Sequence, residues 1–105
     1  MTTKQKKVLD YMIKWAEKEV EGDIYDSTKQ LQIEALAKDG PDAMYDLGAA
    51  LFYGLQKAGY SYKYMNDAAY GGDRGGYSQQ VLWAIEQPFK DYFTDRYENK
   101  SKTRI

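Results

Sequence analysis

The sequence predicts an all-α fold: a small, single-domain helical bundle of about four helices with one long Tyr/Gly-rich loop. Three observations predict it. Apolar residues recur at helical spacing in four separate segments. Residues that start and stop helices stand between those segments. The 105 residues, 43% of them hydrophobic, are enough for one core and few for two.

The first segment places Leu9, Ile13, Ala16 and Val20 on one stripe, widened by Val8, Met12 and Trp15. Thr2 or Thr3 can cap its start, and Gly22 can end it, so the spacing predicts a helix over 4–21. In the second, Ser27 and Gln30 have capping-box spacing, which predicts a helix from Thr28 to about Lys38. Leu31, Ala35 and Leu36 are expected to face inward, flanked by Ile33 and Ala37.

The third segment carries the clearest signals. Pro41 suits a first helical position, and Asp42 sits at the positive end of the helix dipole. Met44, Leu47, Leu51, Leu55 and Ala58 form one stripe. Gly59 is expected to stop the helix, with Tyr60 folding back as the apolar residue of a Schellman turn. The predicted helix covers 41–58. Gly48 and Gly54 lie inside it, and each costs about 1 kcal/mol relative to alanine. Close approach of another helix is the usual reason for such a glycine, so both are read as interface positions.

Next, "YSYKYMNDAA" is open to two readings. Tyr60, Tyr62 and Tyr64 alternate with Ser61 and Lys63 as a strand would, while Met65 to Tyr70 suits a helical turn. The last segment begins at a good N-cap, Ser78, and runs to about Glu98 on Leu82, Ile85, Phe89, Tyr92 and Phe93. Pro88 lies inside it and predicts a kink or break over 84–87. Trp83 stands one position off the apolar stripe and is read as an interface residue. No repeat or linker divides the chain, so residues 1–105 are read as one domain with basic, flexible ends at 1–6 and 99–105.

Charge is unevenly placed. Lys4, Lys6, Lys7, Lys100, Lys102 and Arg104 crowd the two ends, while Val8 to Asn99 carries nine basic against sixteen acidic residues, a net −7. An acidic body repels phosphates, so nucleic acid is an unlikely partner by this reading. No window approaches the ~18 apolar residues of a membrane span. The start, "MTTKQKKVLDYMIKW", lacks the apolar core of a secretory signal, and a cytoplasmic location with no membrane contact is expected.

The chain has no cysteine and no histidine. Disulfides, thiol nucleophiles, Ser-His-Asp arrangements and ordinary zinc sites therefore cannot be built. Asp42/Asp46 and Asp91/Asp95 share helix faces at i, i+4 but read as solvated pairs. There is no EF-hand glycine in "DIYDSTKQLQIE" and no Walker or "GxGxxG" spacing. The expectation is a protein that is not an enzyme, with no metal and no cofactor.

Two features point to binding. Eleven tyrosines are more than so small a core can enclose, and tyrosine is favoured where a second surface covers it. The segment "AYGGDRGGYS" leads into the last helix, with Gly71, Gly72, Gly75 and Gly76 around Asp73 and Arg74. Glycines let backbone approach a ligand, a helix start favours an anion, and Arg74 adds a fork of donors. Tyr70 and Tyr77 can stack on a base or a partner side chain. The residues expected to touch a ligand or partner are Tyr60, Tyr62, Lys63, Tyr64, Tyr70, Arg74, Tyr77 and Ser78. The first reading is a stoichiometric protein contact (inhibitor, adaptor or subunit), self-associating as a homo-oligomer. The second is capture of an anionic small ligand such as a nucleotide.

Overall fold

The computed structural model describes residues 1–21, 27–43, 47–60 and 77–102. Four α-helices are found among them: α1 (Thr3–Glu19), α2 (Ser27–Asp39), α3 (Leu47–Ala58) and α4 (Tyr77–Lys102). A 3₁₀ turn, Gly40–Ala43, follows α2 directly. No strand occurs among the described residues. The fold is the small all-α domain that the apolar spacing predicts.

Both ends of α1 and the end of α3 are set by local bonds. At α1, Thr2 Oγ1 accepts from the Gln5 backbone N–H at 3.1 Å, and Gln5 Oε1 accepts from the Thr2 N–H at 2.9 Å. This reciprocal capping box satisfies two donors that an open helix end would leave unpaired. Residues 3–6, expected as part of a flexible end, therefore belong to α1. The helix closes at Val20, whose N–H donates to Ala16 O at 3.1 Å, ahead of Gly22. α3 ends as the Schellman spacing predicts. Gly59 takes φ +87°, the Tyr60 N–H donates to Leu55 O at 3.0 Å, and the Gly59 N–H donates to Gln56 O at 3.1 Å.

Packing runs α1 against α3 and α4, and α2 against α4, with the 3₁₀ turn wedged against both α2 and α4. The inward faces meet at Val8, Met12 and Ala16 of α1, Ile33 and Leu36 of α2, Ala50 and Leu55 of α3, and Val81, Ile85, Phe89 and Phe93 of α4. Burying each large apolar side chain contributes about 1.5–3 kcal/mol. The molecule measures 50 × 23 × 22 Å. A 26-residue helix is about 39 Å long, so α4 can only lie along the long axis.

Four expectations are corrected. Leu31 does not face inward: it is 64% exposed, while Ile33 and Leu36 are buried. At about 100° per residue Leu31 stands opposite Ile33, and α2 turns the Ile33 side to α4. The third helix does not start at Pro41. Gly40 takes φ +62°, and a Cβ there would meet Lys90 Cγ at 2.8 Å. The chain thus turns sharply beneath the Lys90 stem and buries Pro41 in a 3₁₀ turn that is separate from α3 (Leu47–Ala58). The last helix starts one residue earlier than expected, so Ser78 lies in its first turn and not at its cap. Finally, the break expected over 84–87 does not occur: α4 continues through Pro88 and runs past Glu98. The lost hydrogen bond costs about 3 kcal/mol. Ile85, Phe89 and Phe93, fully buried on both sides of the proline, offset that.

Candidate functional site

Of the residues expected to touch a ligand or partner, Tyr62, Lys63, Tyr64, Tyr70 and Arg74 lie outside the described residues. Tyr77 and Ser78 are placed only as the first turn of α4. Tyr60 is half-buried at the end of α3, and Lys4 Nζ sits 5.2 Å from its ring centroid, a cation–π contact tying α1 to α3. Asp46 also lies outside the described residues, and Asp42 is exposed in the 3₁₀ turn.

The two helix-interior glycines have different surroundings. A Cβ at Gly54 would stand 3.2 Å from Val8 Cγ1 and 3.5 Å from Tyr11 Cδ1. Gly54 therefore lets α1 approach α3 within the same chain. It is buried and no part of an outer interface. Gly48 is exposed, with nothing within 4 Å of a Cβ. No neighbour among the described residues requires a glycine there.

Gly48 belongs to an outward face of α3 with Ala49, Tyr53 and Gln56, all exposed, and the half-buried Phe52. Tyr53 is 49% exposed and meets Phe52 edge-on at 5.6 Å. Only one residue of α3, Lys57, is charged. Trp83, 59% exposed, stands on α4 at a shallow depression shared with Pro41, Asp42, Leu82 and Glu86. None of the five tyrosines with described side chains, Tyr11, Tyr53, Tyr60, Tyr92 and Tyr97, is fully buried. These five sit at the surface or on its margin.

Sequence reading missed a stripe on α1. Lys4, Lys7, Lys14 and Lys18 are exposed, with Tyr11 and Trp15 half-buried among them. All six fall within about 100° of arc around the helix, and no acidic residue does. Tyr11, Lys14, Trp15 and Lys18 line an open groove. The signal was present as the spacing 4, 7, 11, 14, 15, 18, but the apolar stripe beside it drew the reading.

The α1–α4 seam holds a different cluster. Arg96 Nη1 donates to Glu17 Oε2 at 3.2 Å, and Tyr92 stands beside both. Burial raises the Tyr92 hydroxyl pKa above its usual value of 10.0; the Glu17 charge and hydrogen bond add to the rise, and Arg96 opposes it. Burial likewise raises that of Tyr60, against a hydrogen bond with Thr2. A raised folded-state value means these groups support the fold fully below the unfolded value of 10.0, and that support is lost as pH climbs through the folded value.

A notch of about 140 Å³ between α1, α2 and the 3₁₀ turn is lined mostly by Ala16, Val20, Ala35, Leu36 and Ala43. That is below the ~300 Å³ at which ligand pockets begin. Among the described residues, no group of three carboxylates is placed to hold a metal ion, and no helix is long and apolar enough to cross a membrane. No known protein family, curated protein or solved structure matches the chain.

Proposed function

We propose that this protein acts by stoichiometric contact with another protein surface, as an inhibitor, adaptor or subunit, and that it self-associates. The observation that carries this reading is the outward face of α3: exposed Gly48, Ala49 and Tyr53 beside Phe52, on a helix with one charge. A glycine in open space costs helix stability, about 1 kcal/mol against alanine, with no contact among the described residues to offset it. A partner helix seated over Gly48 supplies that contact, because the missing Cβ lets two backbones close up. Tyr53 then provides the buried ring and hydroxyl favoured at the centre of interfaces.

Multi-angle light scattering on wild type, Gly48→Leu and Tyr53→Glu tests the reading. The wild type is expected above the 12.1 kDa of one chain at micromolar concentration, and both variants near it. Gly48→Leu is expected to keep or raise the thermal midpoint, because an added Cβ meets nothing among the described residues and leucine is the better helix former. A wild type of 12.1 kDa at all concentrations, or an association that both variants leave intact, would remove the α3 face from the argument.

A further inference from the structure

The outer face of α4 is the electrostatic opposite of the α1 stripe. Gln80, Gln87, Asp91, Asp95 and Glu98 are exposed on it, within about 80° of arc, and Lys102, the last residue of the helix, falls on the same arc. Gln87 Nε2 donates to Asp91 Oδ1 at 2.8 Å, which holds that carboxylate in place. Lys90, at the margin, is occupied by Glu86 at 3.5 Å. The three acids span about 10 Å of helix, and Lys7 to Lys18 spans about 17 Å.

These two faces cannot meet within one molecule. α1 approaches α4 by the Glu17 side, which pairs with Arg96; Glu17 borders the stripe, sharing an open groove with Lys14, Lys18 and Glu21. The α4 acids stand opposite the buried line of Ile85, Phe89 and Phe93. We infer that the Lys/Tyr/Trp stripe of α1 docks the acidic outer face of α4 on a second copy of this chain. A polynucleotide fits the stripe less well, because the body from Val8 to Asn99 carries −7 and repels a polyanion at long range. A second copy carries the same −7 between Val8 and Asn99, but it gathers Asp91, Asp95 and Glu98 on one exposed helix face, so the opposite sign stands where it is needed. Tyr11 and Trp15, half-buried between the lysines, supply the apolar floor on which the partner helix rests. Such a contact joins two different patches, so it builds either a closed ring or an open chain.

This contact uses residues separate from the α3 face, and salt distinguishes the two. Charge pairing is screened beyond about 10 Å at 0.1 M salt, whereas apolar burial is not. Sedimentation at about 20 mM and about 500 mM salt is run on wild type, Lys14→Glu/Lys18→Glu, and Asp91→Lys/Glu98→Lys. All four sites are exposed, and circular dichroism confirms that each variant is folded. The low-salt increment in mass is expected to vanish at high salt and in each variant alone. It is expected to return when the two variants are mixed, since each then offers what the other lacks. Mixing that restores nothing overturns the inference; so does a low-salt mass that neither reversal changes. A labelled single-stranded oligonucleotide that binds the wild type but not Lys14→Glu/Lys18→Glu, with no protein self-association, also overturns it and assigns the stripe to a polynucleotide. Association that persists at high salt and yields to Tyr53→Glu leaves the α3 reading standing whatever happens here.

Discussion

Two stretches of this chain read almost alike: "TTKQ" at 2–5 and "STKQ" at 27–30. Each places a hydroxyl residue three positions before a glutamine, the arrangement of a capping box. At the start of α1 both reciprocal hydrogen bonds form. At the start of α2 the helix already includes Ser27, and Gln30 Oε1 is buried with no hydrogen-bond partner. The predicted second capping box is therefore not made. The difference lies in what the rest of the fold asks of each helix. The α1 cap forms at an exposed site, where local bonding decides the geometry. α2 is held by Ile33 and Leu36 against α4, and Gln30, one turn back, goes where that packing carries it. A capping signal is a local offer that tertiary packing can override.

The largest expected effect comes from removing the stranded acceptor. Gln30→Met keeps the length of the side chain and deletes the buried carbonyl. It is expected to raise stability by about 1–2 kcal/mol, read as a higher urea midpoint at unchanged slope. A lower midpoint would mean that Gln30 is satisfied in the folded state, and the contrast between the two starts would collapse. Next in size, Thr2→Ala is expected to lower stability by about 1 kcal/mol through loss of the α1 cap. Gln5→Ala removes only the return bond, at an exposed site, and is expected to cost about 0.5 kcal/mol. If Gln5→Ala cost as much as Thr2→Ala, the two bonds would be acting as one unit and a double-mutant cycle would show it.

The same division runs through the glycines of α3. Their cost to a helix was legible in the sequence, and so was the expectation that something must approach them. Gly54 meets α1, through Val8 and Tyr11. Gly48 meets nothing among the described residues. Residues 48 and 54 are six apart and so point to different sides of the helix, but which side faces α1 depends on how the helices pair. Leu31 and Val81 repeat the lesson. Leu31 reads as core and is exposed, and Val81 is fully buried although no stripe assigned it. The outward aromatics Trp83 and Tyr53 stand where no inward stripe claimed them.

By itself the sequence determined the helical class, the buried line Val8–Leu9–Met12–Ala16 of α1, the Thr2 cap and the Gly59–Tyr60 stop, because each depends on bonds and spacings within a few residues. It also determined which chemistry is out of reach, since a chain without histidine or cysteine cannot assemble sites that need them. Only the tertiary structure decided the turn at Gly40, the unbroken passage of α4 through Pro88, the idle oxygen of Gln30, and the separation of a lysine face on α1 from an acidic face on α4. Those outcomes turn on which helix packs against which, and burying a side chain against a distant segment outweighs the kilocalorie or so that a local preference commands.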